Sequence, residues 1–347
     1  MTEARKALYA YLIMILSLVC LIEVGLELRH FHKGYNTPIF GVKERKEYKP
    51  EPVASGQLAY GPTEPFPFRS IIVDRDNDYA ERIWIASSSH AEGGSIPAPK
   101  IFPNLICGSI KYLPQCEVIN GSKVGMTVAQ NLSLMREYAP IYKPKFAVLY
   151  QLGIIIAEHQ RTLLNKDVAL VGKTNSSIYA AISKQLQRTS LYGHLSDVIG
   201  GNIKLEGLLK NDLPEAMTEN FDDQILSFIS TSKELGVSPI LMTFAVSHNT
   251  DNIQEMPFLT RTNFVKYNTY LSPNGWLVMV DRYNERLRAI AQKESVPLID
   301  LEKRMSGEPE YFLDFVHFNE AGHQVVSDVI GDAFTGLTLQ IGARDDI

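Results

Sequence analysis

Arg82-Ile-Trp-Ile-Ala86 is a short apolar run that ends in Ser87-Ser88-Ser89-His90-Ala91-Glu92-Gly93. A continuous apolar run followed by small polar residues reads as a buried strand and then a tight turn. The rhythm repeats downstream. Cys116 to Asn120 reads as a strand and Thr127 to Tyr138 as a helix. Phe146 to Leu152 reads as a buried strand after Lys143-Pro144-Lys145, and Phe221 to Leu235 as a helix ending at Gly236. Pro239 to Thr243 reads as a strand. Leu277 to Lys293 places Val280, Tyr283, Leu287, Ile290 and Ala291 on one helix face. Val296 to Leu301 is a further strand, and Glu320 to Phe334 a final helix. Strands alternating with helices predict an α/β domain with a mostly parallel sheet covered on both faces. In such sheets the reactive groups sit on loops at the carboxyl ends of the strands. This domain is expected over residues 81–340, with 160–215 as an insertion or lid. Phe102 to Gln115 reads as a loop.

Composition excludes more than it selects. Hydrophobic residues make up 45% and charged residues 21% of 347, which is ordinary for a globular chain and excludes long-range disorder. Three Cys are too few for a disulfide scaffold. A net charge of −5 argues against a nucleic-acid partner held by bulk charge. Residues 34–80 are rich in Pro, Gly and charge and read as a stalk. Before them, Ala7 to Ile22 carries no charge and follows Arg5 and Lys6. Extended to Leu28, it is long enough for a single membrane span, so residues 1–33 read as a short cytoplasmic tail and an anchor. A cleaved signal and a buried helix are the competing readings; no A-x-A-like cleavage site lies between residues 20 and 32. Counting Lys and Arg alone would place the C-terminal side in the cytoplasm, but long domains translocate largely regardless of charge. The expected location is extracytoplasmic, periplasmic or extracellular. Cys107 and Cys116 are either a disulfide, which would fit an oxidising compartment, or two free thiols.

Two stretches carry chemistry. A Ser on the turn after a strand is exposed to a base, and nearby backbone N–H groups can hold an oxyanion. Ser-rich turns are common, so the first stretch alone is weak. The second is Asp314-Phe-Val-His317-Phe-Asn-Glu-Ala-Gly322, before the last helix. Asp-x-x-His places a carboxylate where it can orient an imidazole that acts as general base. The bland alternative is an exposed Asp and a helix-capping His.

Together the two stretches resemble the SGNH, or GDSL-type, hydrolase superfamily. Its first block, Gly-Asp-Ser-Leu-Thr-x-Gly, becomes Ser87-Ser88-Ser89-His90-Ala91-Glu92-Gly93 here. The resemblance puts the nucleophile at Ser89, with Ser88 as the fallback if the register slips. The Gly-Asp of the family is lost. Its second block is matched loosely by Asn120-Gly-Ser-Lys-Val-Gly125, which makes the N–H of Gly125 an oxyanion donor beside that of Ser89. The third block should supply an Asn side chain after a strand. By register that position is Ile155, which cannot donate; Gln151 or His159 is the expected substitute. The resemblance spans about residues 82–335.

It implies a flavodoxin-like three-layer α/β/α sandwich. Ser89 would attack an ester, His317 would take its proton and Asp314 would hold His317. The expected function is ester hydrolysis or O-acyl transfer on acylated, chiefly acetylated, cell-surface or secreted polysaccharide, with lipid or small esters next. The membrane would be contacted through the N-terminal helix, with no nucleic-acid partner. The alternative is an inactive glycan-binding or assembly protein. No cofactor and no metal are expected. Gly172-Lys173-Thr174 lacks the first Gly of a phosphate loop, His30 and His32 are a polar tail, and His248 and His323 lack ligand-spaced partners.

Overall fold

The computed structural model describes Arg69–Ser70, residues 81–110, 116–171, 210–257 and 270–345, and single positions within 11–25 and 260–268. By contacts the chain divides into two units, 50–164 with 209–347 and 1–49 with 165–208; the architecture below is that of the first. Five parallel strands form its sheet: β1 (Glu81–Ser87), β2 (Cys116–Asn120), β3 (Phe146–Tyr150), β4 (Ser238–Met242) and β5 (Leu298–Ile299). Their order is β2-β1-β3-β4-β5. Register is set by pairs such as Trp84 with Ile119, Ile85 with Val148, Val148 with Ile240, and Leu241 with Leu298. Ile83, Trp84 and Ile85 of β1 and all of β3 are buried, because strands covered on both faces have no solvent side and need no polar alternation.

The helices are α1 (Ser89–Glu92), α2 (Phe102–Ser109), α3 (Val128–Tyr142), α4 (Leu152–Val171), α5 (Glu215–Glu234), α6 (Pro273–Lys293), α7 (Glu302–Met305) and α8 (Glu320–Asp345). The strand order reverses at β1. Right-handed crossovers therefore place α2 on one face and the later crossover helices on the other. Accordingly α2 packs on α8, while α5 packs between α3 and α6. This is the flavodoxin-like three-layer sandwich that the resemblance implied.

Local chemistry explains the helix boundaries. Thr127 caps α3: its hydroxyl accepts from Gln130 N–H at 3.2 Å, and the Gln130 side chain accepts from Thr127 N–H at 2.9 Å. Ser272 caps α6 by accepting from Gly275 N–H, and Pro273 fills the first helical position. The expected apolar face of α6, Val280 to Ala291, is buried against the sheet.

Several expectations are corrected. Phe102–Ser109 is a helix, not a loop; Pro103 near its first turn is compatible with helix initiation. β3 ends at Tyr150, two residues early, because α4 begins at Leu152. β5 is only two residues long. The N-terminal part of the expected insertion continues α4 to Val171, and 172–209 lies outside the described residues. The anchor and stalk lie almost wholly outside them as well. Among the described residues, no helix is long and apolar enough to cross a membrane. Cys107 of α2 and Cys116 of β2 form a disulfide, with Cα atoms 5.4 Å apart.

Candidate active site

The switch point of a doubly wound sheet opens a crevice at the carboxyl ends of its strands. Here a cleft of about 490 Å³ lies at that end, lined among others by Ser89, His90, Gly125, Gly153, Trp276 and His317. Ser89 opens α1 directly after β1. Its Oγ is 2.8 Å from His317 Nε2, and His317 Nδ1 is 2.8 Å from Asp314 Oδ2. The expected nucleophile, base and carboxylate thus form one hydrogen-bonded line.

The Asp314–His317 segment is a closed turn rather than a helix. Leu313 N–H donates to His317 O at 2.7 Å, and Phe312 bridges Phe318. Asp314 Oδ1 accepts from the N–H groups of Val316 and His317 at 2.9 and 2.8 Å. One carboxylate therefore builds the turn and orients the ring. Burial opposes its charge, but the ring and the two N–H donors outweigh burial and hold the Asp314 carboxyl below its usual range. Asn319 then starts α8 by accepting from Gly322 N–H at 2.9 Å. A Cβ at Gly322 would lie 2.1 Å from Tyr311 O, so only glycine lets the turn pack against the helix start.

Gly125 lies on the loop after β2 with φ of 70°, a left-handed conformation that favours glycine. The N–H groups of Ser89, Gly125 and Gly153 have no acceptor in the protein among the described residues. Glu92 ties two of these loops together, because its carboxylate accepts from Val124 N–H at 3.0 Å. Asn120 supports the same turn by donating to Ala91 O at 2.9 Å. Glu92 and Asn120 lay inside the quoted blocks, but spacing alone did not show that they fasten one loop to the other.

The structure corrects the third donor. Gln151 donates both amide hydrogens inward, to Ser87 O at 3.0 Å and Met126 O at 2.8 Å, and does not line the cleft. It fastens the nucleophile's strand to the Gly125 loop. His159 pairs with Tyr283 OH and Asn220, each at 2.9 Å, and is likewise away from the cleft. Ile155 is buried in the core. Because β3 ends early, the cleft-facing residues at its junction with α4 are Gly153 and Ile154, with Ala157 and Arg161 further along the helix. The junction offers no side-chain donor.

Ser88, the fallback nucleophile, is buried, and its Oγ lies 3.0 Å from His90 Nδ1, not against His317. His323 accepts from Phe102 N–H at 3.1 Å, and His248 pairs with Ser247 at 2.9 Å. Among the described residues, no group of His, Cys, Asp or Glu is arranged to hold a metal ion.

Solved structures with a similar fold include three lipolytic or esterolytic proteins. A GDSL-like lipase from Bacteroides thetaiotaomicron is 15% identical, with a TM-score of 0.43 over 73% of this chain and 87% of its own. A lipase/acylhydrolase from Enterococcus faecalis is 12% identical, with a TM-score of 0.42 over 74% and 96%. A catalytic mutant of an acetylxylan esterase from Geobacillus stearothermophilus is 13% identical, with a TM-score of 0.42 over 73% and 93%. No family model and no curated protein matches the sequence. Likeness at this distance carries no chemistry, which rests on the Ser89–His317–Asp314 geometry.

Proposed function

We propose that this protein is a serine ester hydrolase or O-acyltransferase acting on acylated, chiefly acetylated, cell-surface or secreted polysaccharide. The observation that carries this reading is the Ser89–His317–Asp314 line at the mouth of the cleft. Ser89 Oγ attacks the ester carbonyl as its proton passes to His317 Nε2. Asp314 holds the ring with Nδ1–H toward the carboxylate and stabilises the imidazolium. The N–H groups of Ser89 and Gly125 donate to the tetrahedral oxyanion. Collapse expels the alcohol, which takes the proton from His317 and leaves an acyl-Ser89. Water, or a sugar hydroxyl, then attacks this ester. It gives its proton to His317, which returns it to Ser89 as the acid or the new ester leaves.

The extracytoplasmic location is supported by the apolar N-terminal segment and by the Cys107–Cys116 disulfide, a bond favoured outside the cytosol, and the choice of a cell-surface or secreted polysaccharide rests on that location. Acetate release from p-nitrophenyl acetate tests the chemistry. Wild type should turn over, and Ser89→Ala and His317→Ala should not. Added glycan acceptor separates the two outcomes: transfer yields acetylated glycan in place of free acetate. The missing side-chain donor after β3 favours a second reading, an inactive glycan-binding or assembly domain. That reading gains if wild type is no faster than the variants and an active-site serine probe fails to label Ser89.

A further inference from the structure

The tetrahedral oxyanion gains from every preorganised donor aimed at it, and the β3–α4 junction supplies no side chain for that role. Gly153, with no side chain, lets Phe244 and His90 pack close to the backbone there. A Cβ built on it would lie 3.4 Å from His90 Cε1 and 2.7 Å from Phe244 Cζ. The His90 ring therefore occupies the space beside Gly153 that a larger residue would fill. It stacks on the His317 ring with centroids 5.2 Å apart and planes 16° from parallel. Phe244 and Tyr150 hold it edge-on, at 5.0 and 5.7 Å.

The hydrogen bonds of His90 fix its tautomer. Ser88 Oγ lies 3.0 Å from Nδ1 and has no other partner among the described residues. If Nδ1 carried the proton, the Ser88 hydroxyl hydrogen would be buried without an acceptor. The hydroxyl therefore donates to Nδ1, and a neutral ring carries its proton on Nε2. Among the described residues Nε2 has no hydrogen-bond partner, and His90 itself lines the cleft.

We propose that His90 Nε2–H is a third donor to the oxyanion on Ser89, replacing the side-chain amide that the β3–α4 junction lacks. This rests on the acyl-enzyme reading above. The role needs a ring that stays neutral and keeps its N–H beside an imidazolium. Burial, and then the neighbouring His317 charge, push the pKa of His90 down to about 3. Ser88 is a positioning residue, since it acts through Nδ1. No proton leaves His90 in the cycle.

The test uses the full chain and two probes, p-nitrophenyl acetate and phenylboronic acid, whose adduct on Ser89 is a tetrahedral anion. His90→Phe keeps an aromatic ring in the stack and removes the N–H. It should lower kcat about 100- to 1000-fold, leave KM within about threefold, and weaken the boronate by a similar factor. His90→Gln, which can donate, should recover part of both losses. His90→Leu replaces the Phe variant if thermal melting shows the latter unfolded. Wild-type kcat and boronate affinity in a folded donor-less variant overturn the proposal. Equal losses in the Phe and Gln variants overturn it too, because they mark a packing role. Wild type inert to both probes overturns the ester reading itself.

Discussion

Two serine–histidine pairs lie side by side in this cleft, with their rings stacked. Ser89–His317 is closed at its far end by Asp314, and the His317 side chain is 38% exposed. Ser88–His90 has no carboxylate, and His90 is 5% exposed. Hydrogen-bond distance is nearly the same in both, 2.8 and 3.0 Å. The difference is therefore environmental. A general base must accept a proton and carry the charge, which Asp314 supports. Buried edge-on against Tyr150 and Phe244, His90 loses its charged form and keeps the chemistry of a neutral donor. A Ser next to a His is not a nucleophile and base until a carboxylate and some solvent complete the set.

The largest expected contrast is between the serines. Ser89→Ala should cut kcat at least about 10⁴-fold, by analogy with loss of a triad nucleophile. Ser88→Ala should cost about 10-fold, because it only frees the His90 tautomer. Comparable losses in steady-state kinetics would merge the two pairs into one. Next, Asp314→Asn should lower kcat about 10³- to 10⁴-fold, since an amide both favours the wrong His317 tautomer and cannot stabilise the imidazolium. Activity near wild type would mean that the carboxylate serves only the turn.

Acid stability probes the other pair. His90 binds its proton at about 3 in the fold but at about 6.5 when unfolded. The unfolded chain therefore binds more protons between these values, so stability is intact above about pH 6.5 and falls as the pH drops toward 3. At pH 4 the loss from His90 is roughly 3 kcal/mol. Buried His323, lowered to about 4 by burial and then by the charges of Arg69 and His317, adds to it. Urea melts from pH 7 to 4 should show the decline, and His90→Phe should flatten it. A slope untouched by that substitution would remove His90 as its source. The smallest effect is sought at Gly153→Ala. The added methyl meets Phe244 and crowds His90, at a cost of about 1–3 kcal/mol for overpacking. It should slow turnover about 10-fold while leaving serine-probe labelling intact. Unchanged kinetics and melting would mean that the His90 seat tolerates displacement.

Much of this arrangement was legible in the chain. Apolar runs placed β1 to β4 within two residues at each end, because strands buried on both faces cannot hide polar side chains. The resemblance carried by Ser89, Asp314 and His317 named the line that the fold brings together across 228 positions of sequence. Boundaries and loops were less legible. Phe102–Ser109 reads as irregular because its Pro sits where a helix begins, and β5 spans only Leu298–Ile299, two residues short of the run Val296 to Leu301 at each end. The third donor was misplaced because apolar residues continue on both sides of Gln151 and Gly153, so hydropathy alone cannot show where β3 yields to α4.

Hydropathy and hydrogen-bonding capacity along the chain dictated which faces had to be buried and which residue types were on hand for the site. Tertiary packing selected which of two adjacent serines meets the base, and turned Gln151 inward to bind two carbonyls. It alone also put the His90 ring beside Gly153. Those outcomes depend on directions of side chains brought together from distant strands, and on the burial that sets a group's charge. Neither is written in local sequence.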